Sequence, residues 1–290
     1  MMTAVHLSGN ASFSQGAREG LTAMNRILPF LLTAVILAGR MYGEVPDTPC
    51  NEAILATVGS MPSGGLYSAS GTANAALRNA VTIRDGRIQV DAGKARPSYC
   101  SEATYLVFLK VLSKLAEKHA ISIDERLAKA LRPGSQPDGD GVWGRWNANG
   151  PGTAVLFHEQ KLGTNFTDPR RAKPGDFLKI FWNDGIGSNE HGHSVIFLGM
   201  EQKGGLAFLR FWSSNQPGGY GEKSVPLSRI RRMLFSRLEH PELIRFPEPW
   251  RDPYLFSLLH SPSSIAEMEH HSGIITPPPS RGPSLAPDLR

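Results

Sequence analysis

Only two cysteines, Cys50 and Cys100, occur in the 290 residues. A disulfide-stapled scaffold carries more, so the fold must rest on a hydrophobic core, and one Cys50–Cys100 bridge is the most this chain can form. Long apolar runs are missing too. The most apolar stretch, residues 27–38 (ILPFLLTAVILA), falls short of the roughly 20 residues that cross a bilayer. No dense Lys/Arg stripe interleaved with aromatics is present, which argues against a nucleic-acid partner. The formal net charge of +5 still suits an anionic polymer such as an acidic cell envelope. No internal repeat is found.

What is present divides the chain into four parts. Residues 24–43 open on Met24-Asn25-Arg26, and the apolar run follows. A basic residue ahead of a short apolar segment predicts a signal peptide, cleaved after Ala38 or Gly43. A retained signal anchor or a buried helix are the alternatives. Residues 1–23, polar and rich in Ser and Gly, read as an extension upstream of a true start at Met24. Residues 44–246 form the predicted functional domain. Residues 247–290, rich in Pro and Ser, read as a largely disordered tail. The expectation is an exported monomer, periplasmic or extracellular, that meets a membrane only through its signal segment.

Thr48 and Pro49 predict the start of a helix running to about Val58. A short helix is expected near 72–79 and a strand over 86–91 (GRIQVD). The strongest helical pattern is 98–118. Its apolar positions, among them Ala103, Leu106, Val107, Leu109, Val111 and Leu112, cover most of the circumference, which places this helix inside the domain. Ser122 and Glu125 read as a capping box for a further helix. Residues 136–152 (QPDGDGVWGRWNANGPG) read as an irregular loop, and 153–161 as a helix. Beyond them, 177–182, 193–198, 206–212 and 233–238 are short apolar stretches separated by turns. Their linkers are too short for helical crossovers, so they predict one antiparallel sheet. Helices followed by a sheet make an α+β fold.

Cys100 falls at the mouth of the central helix. Unpaired N–H groups and the helix dipole favour an anion there, so the thiol should be acidified, and the Cys100 N–H becomes a candidate oxyanion donor. Burial as an inert core thiol is the alternative reading. A thiolate nucleophile needs a base, and His193 opens a predicted strand in the run EHGHSVIFLG. His191, two residues earlier, shares its face and is the second candidate. The ring-orienting third group should come from the next strand, with Asn215 first and Ser213 or Gln216 as fallbacks. Tyr99 and Ser101, flanking the thiol, are candidate substrate contacts. Trp143 and Trp146 either line a substrate groove or plug their loop onto the core. Metal binding by His191 and His193 with Glu190 or Asp184 is a minor alternative; neither cofactor nor metal is expected.

Four features occur in order: a Cys-Ser opening an apolar helix, Lys173-Pro174-Gly175-Asp176 leading into a strand, a Gly-His pair opening a second strand, and a third strand ending in polar residues. In this the chain resembles the NlpC-type and CHAP-type cell-wall cysteine peptidases and amidases, relatives of papain. The resemblance spans roughly 98–238. It implies a papain-like fold with Cys100 as nucleophile, His193 as base and Asn215 as the third residue. It also implies a structural Pro-Gly-Asp turn and hydrolysis of an amide bond in peptidoglycan. Tyr99 stands where many relatives carry Asp, and the stretch between Cys100 and His193 is long. A non-catalytic glycan- or peptide-binding module, or a Cys–His acyltransferase, are the rival functions.

Overall fold

The computed structural model describes residues 50–274. The expected signal segment, the upstream extension, the Thr48-Pro49 helix start and the last part of the tail lie outside the described residues. In chain order the elements are α1 (Asn51–Gly59), β1 (Gly64–Gly65), α2 (Gly71–Ala80), β2 (Val81–Arg84), β3 (Arg87–Val90), α3 (Cys100–Glu117), α4 (Glu125–Leu131), α5 (Gly141–Asn147) and α6 (Gly152–Gln160). Then come β4 (Gly163–Phe166), β5 (Phe177–Phe181), β6 (Gly192–Lys203), β7 (Leu206–Asn215), β8 (Gly219–Pro226), β9 (Arg232–Leu238), α7 (Pro253–Ser257) and α8 (Ile265–His271). Helices therefore precede the main sheet. That sheet has seven strands in the order β1-β8-β7-β6-β5-β9-β4, and its paired neighbours all run antiparallel. A separate hairpin joins β2 to β3.

The central helix is buried nearly all round, as its sequence predicts. Ala103 and every residue from Tyr105 to Leu109 are fully buried, as are Val111 and Leu112. α3 packs on β6 and β7 on one side and on α1, β3 and α5 elsewhere. Sequence reasoning missed β1, β2, β4 and β8. β8 (GYGEKSVP) is polar and glycine-rich, and its place in the sheet comes from full pairing with β7, not from any apolar alternation.

Three local expectations need correction. Residues 136–152 are not an irregular loop, because α5 forms inside them. Trp143 and Trp146 do not line a groove: both are buried, at 3% and 1% exposure. Trp146 stacks on Phe108 with ring centroids 4.8 Å apart, and its indole N–H donates to the Thr104 hydroxyl at 3.2 Å. The indole has its hydrogen bond inside the core, so nothing draws the ring outward. The cap of α4 is Asp124, which accepts from the Leu127 N–H at 2.7 Å, and not Ser122.

The tail also differs from expectation. Residues 247–274 are folded onto the domain, with Leu255, Leu258 and Met268 in its core. Arg145, a buried guanidinium, donates to the Trp250 carbonyl at 2.7 Å and the Pro249 carbonyl at 2.8 Å. The Arg251 guanidinium pairs with the Asp140 carboxylate. The abundant proline and serine concealed three well-spaced apolar anchors.

The Pro-Gly-Asp turn is a structural hub. Asp176 is fully buried and accepts from Asn51 Nδ2 at 2.9 Å, from the Lys173 N–H at 2.8 Å and from the Arg237 guanidinium through both oxygens. Gly175 sits at φ +95, where a Cβ would strike the Asn51 backbone. The turn thereby fixes the start of β5 against α1 and β9. Removing one partner of a buried ion pair strands the other charge. Asp176→Ala should therefore lower the unfolding free energy by about 3–5 kcal/mol, read from urea denaturation midpoints. A loss under about 1 kcal/mol, typical of an exposed pair, would show that the hub does not hold the sheet.

Candidate active site

Cys100 is the first residue of α3, with Tyr99 at the N-cap. Its position is set two residues earlier. The Ser98 hydroxyl donates to Ser214 Oγ at 2.9 Å, and the Ser214 hydroxyl donates to the Ser98 carbonyl at 2.8 Å. Both serines are buried, at 1% and 0% exposure. This pair ties the chain leading into α3 to the end of β7, one residue before Asn215. The Ser98 N–H also donates to the Leu66 carbonyl at 3.3 Å, and the Ser68 N–H to the Ser98 carbonyl at 3.0 Å. Tyr67 is thereby carried alongside.

The sheet delivers the imidazole. β6 and β7 pair with Ile196 opposite Trp212. Continuing that antiparallel register toward the start of β6 places His193 opposite Asn215. Asn215 Oδ1 lies 3.1 Å from His193 Nε2. The Asn215 amide nitrogen is committed to the Gly221 carbonyl at 2.7 Å and the Ser213 carbonyl at 3.1 Å. Its oxygen must therefore accept, so Nε2 carries the proton and the Nδ1 lone pair is free. Phe211 meets the ring edge-on at 5.6 Å and Trp182 stacks over it at 6.4 Å.

The imidazole of His193 is close enough to the Cys100 side chain to act on it both as a hydrogen-bonding partner and as a charge. Burial pushes the Cys100 thiol up. The His193 hydrogen bond and charge, the Ser194 N–H and the Lys179 ammonium outweigh it and bring the thiol down to about 7. Cys50, also a free thiol, has no such partners. Burial and the Glu242 carboxylate raise it to about 11. The two thiols differ by environment, as thiolate reactivity requires, and no Cys50–Cys100 bridge is present.

Two participants were not legible in the sequence. The Tyr67 phenol lies beside the Cys100 thiol, and burial followed by the nearby thiolate raises this phenol to about 12. Lys179 on β5 has a nearly buried ammonium, 2.6 Å from Glu190 Oε1. The Gly-His spacing did hold a clue to the latter. A Cβ at Gly192 would meet the ends of the Glu190 and Lys179 side chains, so the ion pair passes directly over this glycine.

Of the other candidates, Ser101 is buried and donates to Asn147 Oδ1 at 2.7 Å, and the Tyr99 hydroxyl donates to Asn74 Oδ1 at 2.9 Å. Both line a cleft of about 500 Å³ that opens beside Cys100. His191 is exposed on the rim of that cleft. Ser213 donates to the Ser194 carbonyl at 2.7 Å and serves the β6–β7 junction instead of the imidazole. Gln216 lines a second cleft of about 290 Å³ on the His193 side. Among the described residues no three His, Cys, Asp or Glu side chains converge as a metal site. Compared with known protein families, curated proteins and solved structures, the chain finds no match.

Behind the thiol, Glu102 is fully buried. It accepts from the Tyr99 N–H at 3.2 Å through one oxygen, while the other has no partner. Burial raises its carboxyl to about 8, with the Tyr99 N–H opposing and the Cys100 thiolate adding to the rise. A carboxyl raised by folding stays protonated in the folded chain after the unfolded chain has ionised, so stability falls as pH climbs from about 4.5 to about 8. Glu102→Gln keeps the cap and removes the titration. The variant should show a flatter Tm-against-pH curve over that window and exceed wild type at pH 8. A parallel pair of curves would mean that Glu102 ionises freely.

Proposed function

We propose that this chain is an exported cysteine hydrolase of papain-like fold that cleaves an amide bond, with peptidoglycan peptide as the substrate class. The observation that carries the reading is the arrangement of Cys100, His193 and Asn215, in which a helix-mouth thiol with pKa near 7 meets an imidazole held in one tautomer. A binding module has no use for a thiol acidified beside an oriented base. The basic net charge suits an acidic envelope, and residues 24–43 supply the export signal. Among the described residues no helix is long and apolar enough to cross a membrane.

The steps follow from the geometry. His193 Nδ1 takes the Cys100 proton, giving thiolate and imidazolium. The thiolate sulfur bonds to the substrate carbonyl carbon, and the carbonyl oxygen becomes an oxyanion. The Cys100 N–H, at the first position of α3, has no intrahelical acceptor and faces that charge, together with the Tyr67 hydroxyl. Collapse breaks the C–N bond as the imidazolium gives its Nδ1 proton to the departing amine nitrogen. Water then loses a proton to His193 and adds to the thioester. The acid leaves, and the Cys100 thiol is restored. Asn215 holds the ring through both halves, and Trp182 and Phe211 shield its hydrogen bond from water.

Purified peptidoglycan and the free stem peptides released from it test the reading by mass spectrometry. Wild type should release new amino groups. Cys100→Ser and His193→Ala should each lose about 10⁴-fold or more in rate, while Cys50→Ser retains activity. Peptide transferred to an added amine instead of water would favour the acyltransferase. Turnover surviving in Cys100→Ser would end the account.

A further inference from the structure

Two clefts flank the Cys100–His193 pair, and they differ in charge. The larger, on the Ser101 side, holds Asp138, Lys179 and Glu190. Lys179 and Glu190 neutralise one another in a close ion pair. Glu190 is further tied to the Gly150 N–H through its other oxygen. Asp138 is left. Its oxygens accept from Asn147 Nδ2 at 3.0 Å and the Asn149 N–H at 3.4 Å, both neutral donors, and it forms no ion pair among the described residues. Asp138 is half-buried, and burial raises its carboxyl. Lys179 acts on Asp138 as well as on Glu190, but one ammonium facing two carboxylates leaves the cleft with one negative charge in excess.

The second cleft contains the imidazole. His193, Asn215 and Tyr67 form its inner wall, and Lys223 and Arg229 its outer wall. No acidic residue lines it. Lys223 donates to the Gln216 carbonyl at 3.5 Å, and neither cation forms an ion pair among the described residues. Glu222, the neighbour of Lys223 on β8, points to the opposite face of the strand.

The chemistry of the pair assigns each cleft a side of the scissile bond. The departing amine must receive its proton from His193, so the leaving group occupies the cleft that contains the ring. The acyl part, bonded to sulfur, extends into the cleft lined by Cys100 and Ser101. In a peptide the acyl side runs toward the amino terminus and the leaving side toward the carboxyl terminus. The charges agree with that direction, with an unpaired carboxylate facing the ammonium end and two unpaired cations facing the carboxylate end.

Resting on the hydrolase reading above, we propose that the substrate is a short peptide with both ends free, its terminal ammonium held by Asp138 in the Ser101-side cleft and its terminal carboxylate by Lys223 and Arg229 in the His193-side cleft. Chain interiors and peptides blocked at either end forgo one of these contacts. An enzyme of this preference acts after another hydrolase has freed the peptide's amino end.

Protection of Cys100 from iodoacetamide tests the proposal without requiring turnover. The rate of labelling at Cys100 is followed by peptide mapping in the presence of tetra-alanine in four forms: free, N-acetylated, C-amidated and doubly blocked. The free form should protect at a concentration about tenfold below either singly blocked form, the effect of one charged contact. Asp138→Asn should erase the difference between free and acetylated peptide and leave that between acid and amide. Lys223→Gln with Arg229→Gln should do the reverse. Equal protection by all four forms, or protection by none while Cys100 still labels quickly and His193-dependently, overturns the charge assignment alone. Labelling at Cys100 as slow as at Cys50 and indifferent to His193→Ala overturns the hydrolase reading and this inference with it.

Discussion

The buried hydroxyl pair of Ser98 and Ser214 is the constraint on which the site depends. It joins the segment leading into α3 to the end of β7, so the helix mouth and the sheet edge cannot drift apart independently. Several groups of the site are placed by that joint. Cys100 follows Ser98 by two positions, Asn215 follows Ser214 by one, and Tyr67 is held beside Ser98 by backbone bonds. A neutral, fully satisfied polar contact suits this duty. It fixes direction inside a dry environment without placing a charge near the thiolate, whereas an unsatisfied one would be costly.

The electrostatics around the sulfur are a balance of opposing terms. Burial alone would hold Cys100 as a thiol, as it does Cys50. Three polar groups reverse that outcome, and all come from β5 and β6: the His193 ring, the Ser194 N–H and the Lys179 ammonium. Tyr67, itself raised by the thiolate, arrives on a loop bonded to Pro217 and bridged to Ser98. Glu190 keeps Lys179 charged while limiting how much net positive charge reaches the site. The thiol is left titrating near neutrality, where both its thiolate form and its capacity to leave in the second half-reaction are useful.

How much of this was legible in the sequence follows physical lines. α3 and the strands β5, β6, β7 and β9 announce themselves by apolar pattern, and Cys100 and His193 follow from their places at the ends of those elements. Asn215 was reachable because the imidazole needs an acceptor and only the next strand can supply one. β8 was not, since its residues are polar and its pairing is dictated by β7. Trp143 and Trp146 misled because a tryptophan-rich, glycine-rich stretch looks like a binding loop, while in the fold those rings complete the core around Phe108. Tyr67 carries no local signal at all, and the only trace of Lys179 is the glycine before His193. Each lies far from Cys100 in sequence and becomes significant only through strand pairing. The tail misled in the other direction, its proline and serine masking the leucines that seat it on the domain.

The central claim is that His193 makes the Cys100 thiol acidic. The most direct measurement is the rate of iodoacetamide alkylation at each cysteine as a function of pH, in wild type and in His193→Ala. The account predicts a midpoint near 7 for Cys100 and near 11 for Cys50 in wild type, with the Cys100 midpoint moving up and the Cys50 midpoint unchanged when the imidazole is removed. Coincident profiles for the two thiols, or a Cys100 midpoint that ignores His193→Ala, would contradict it.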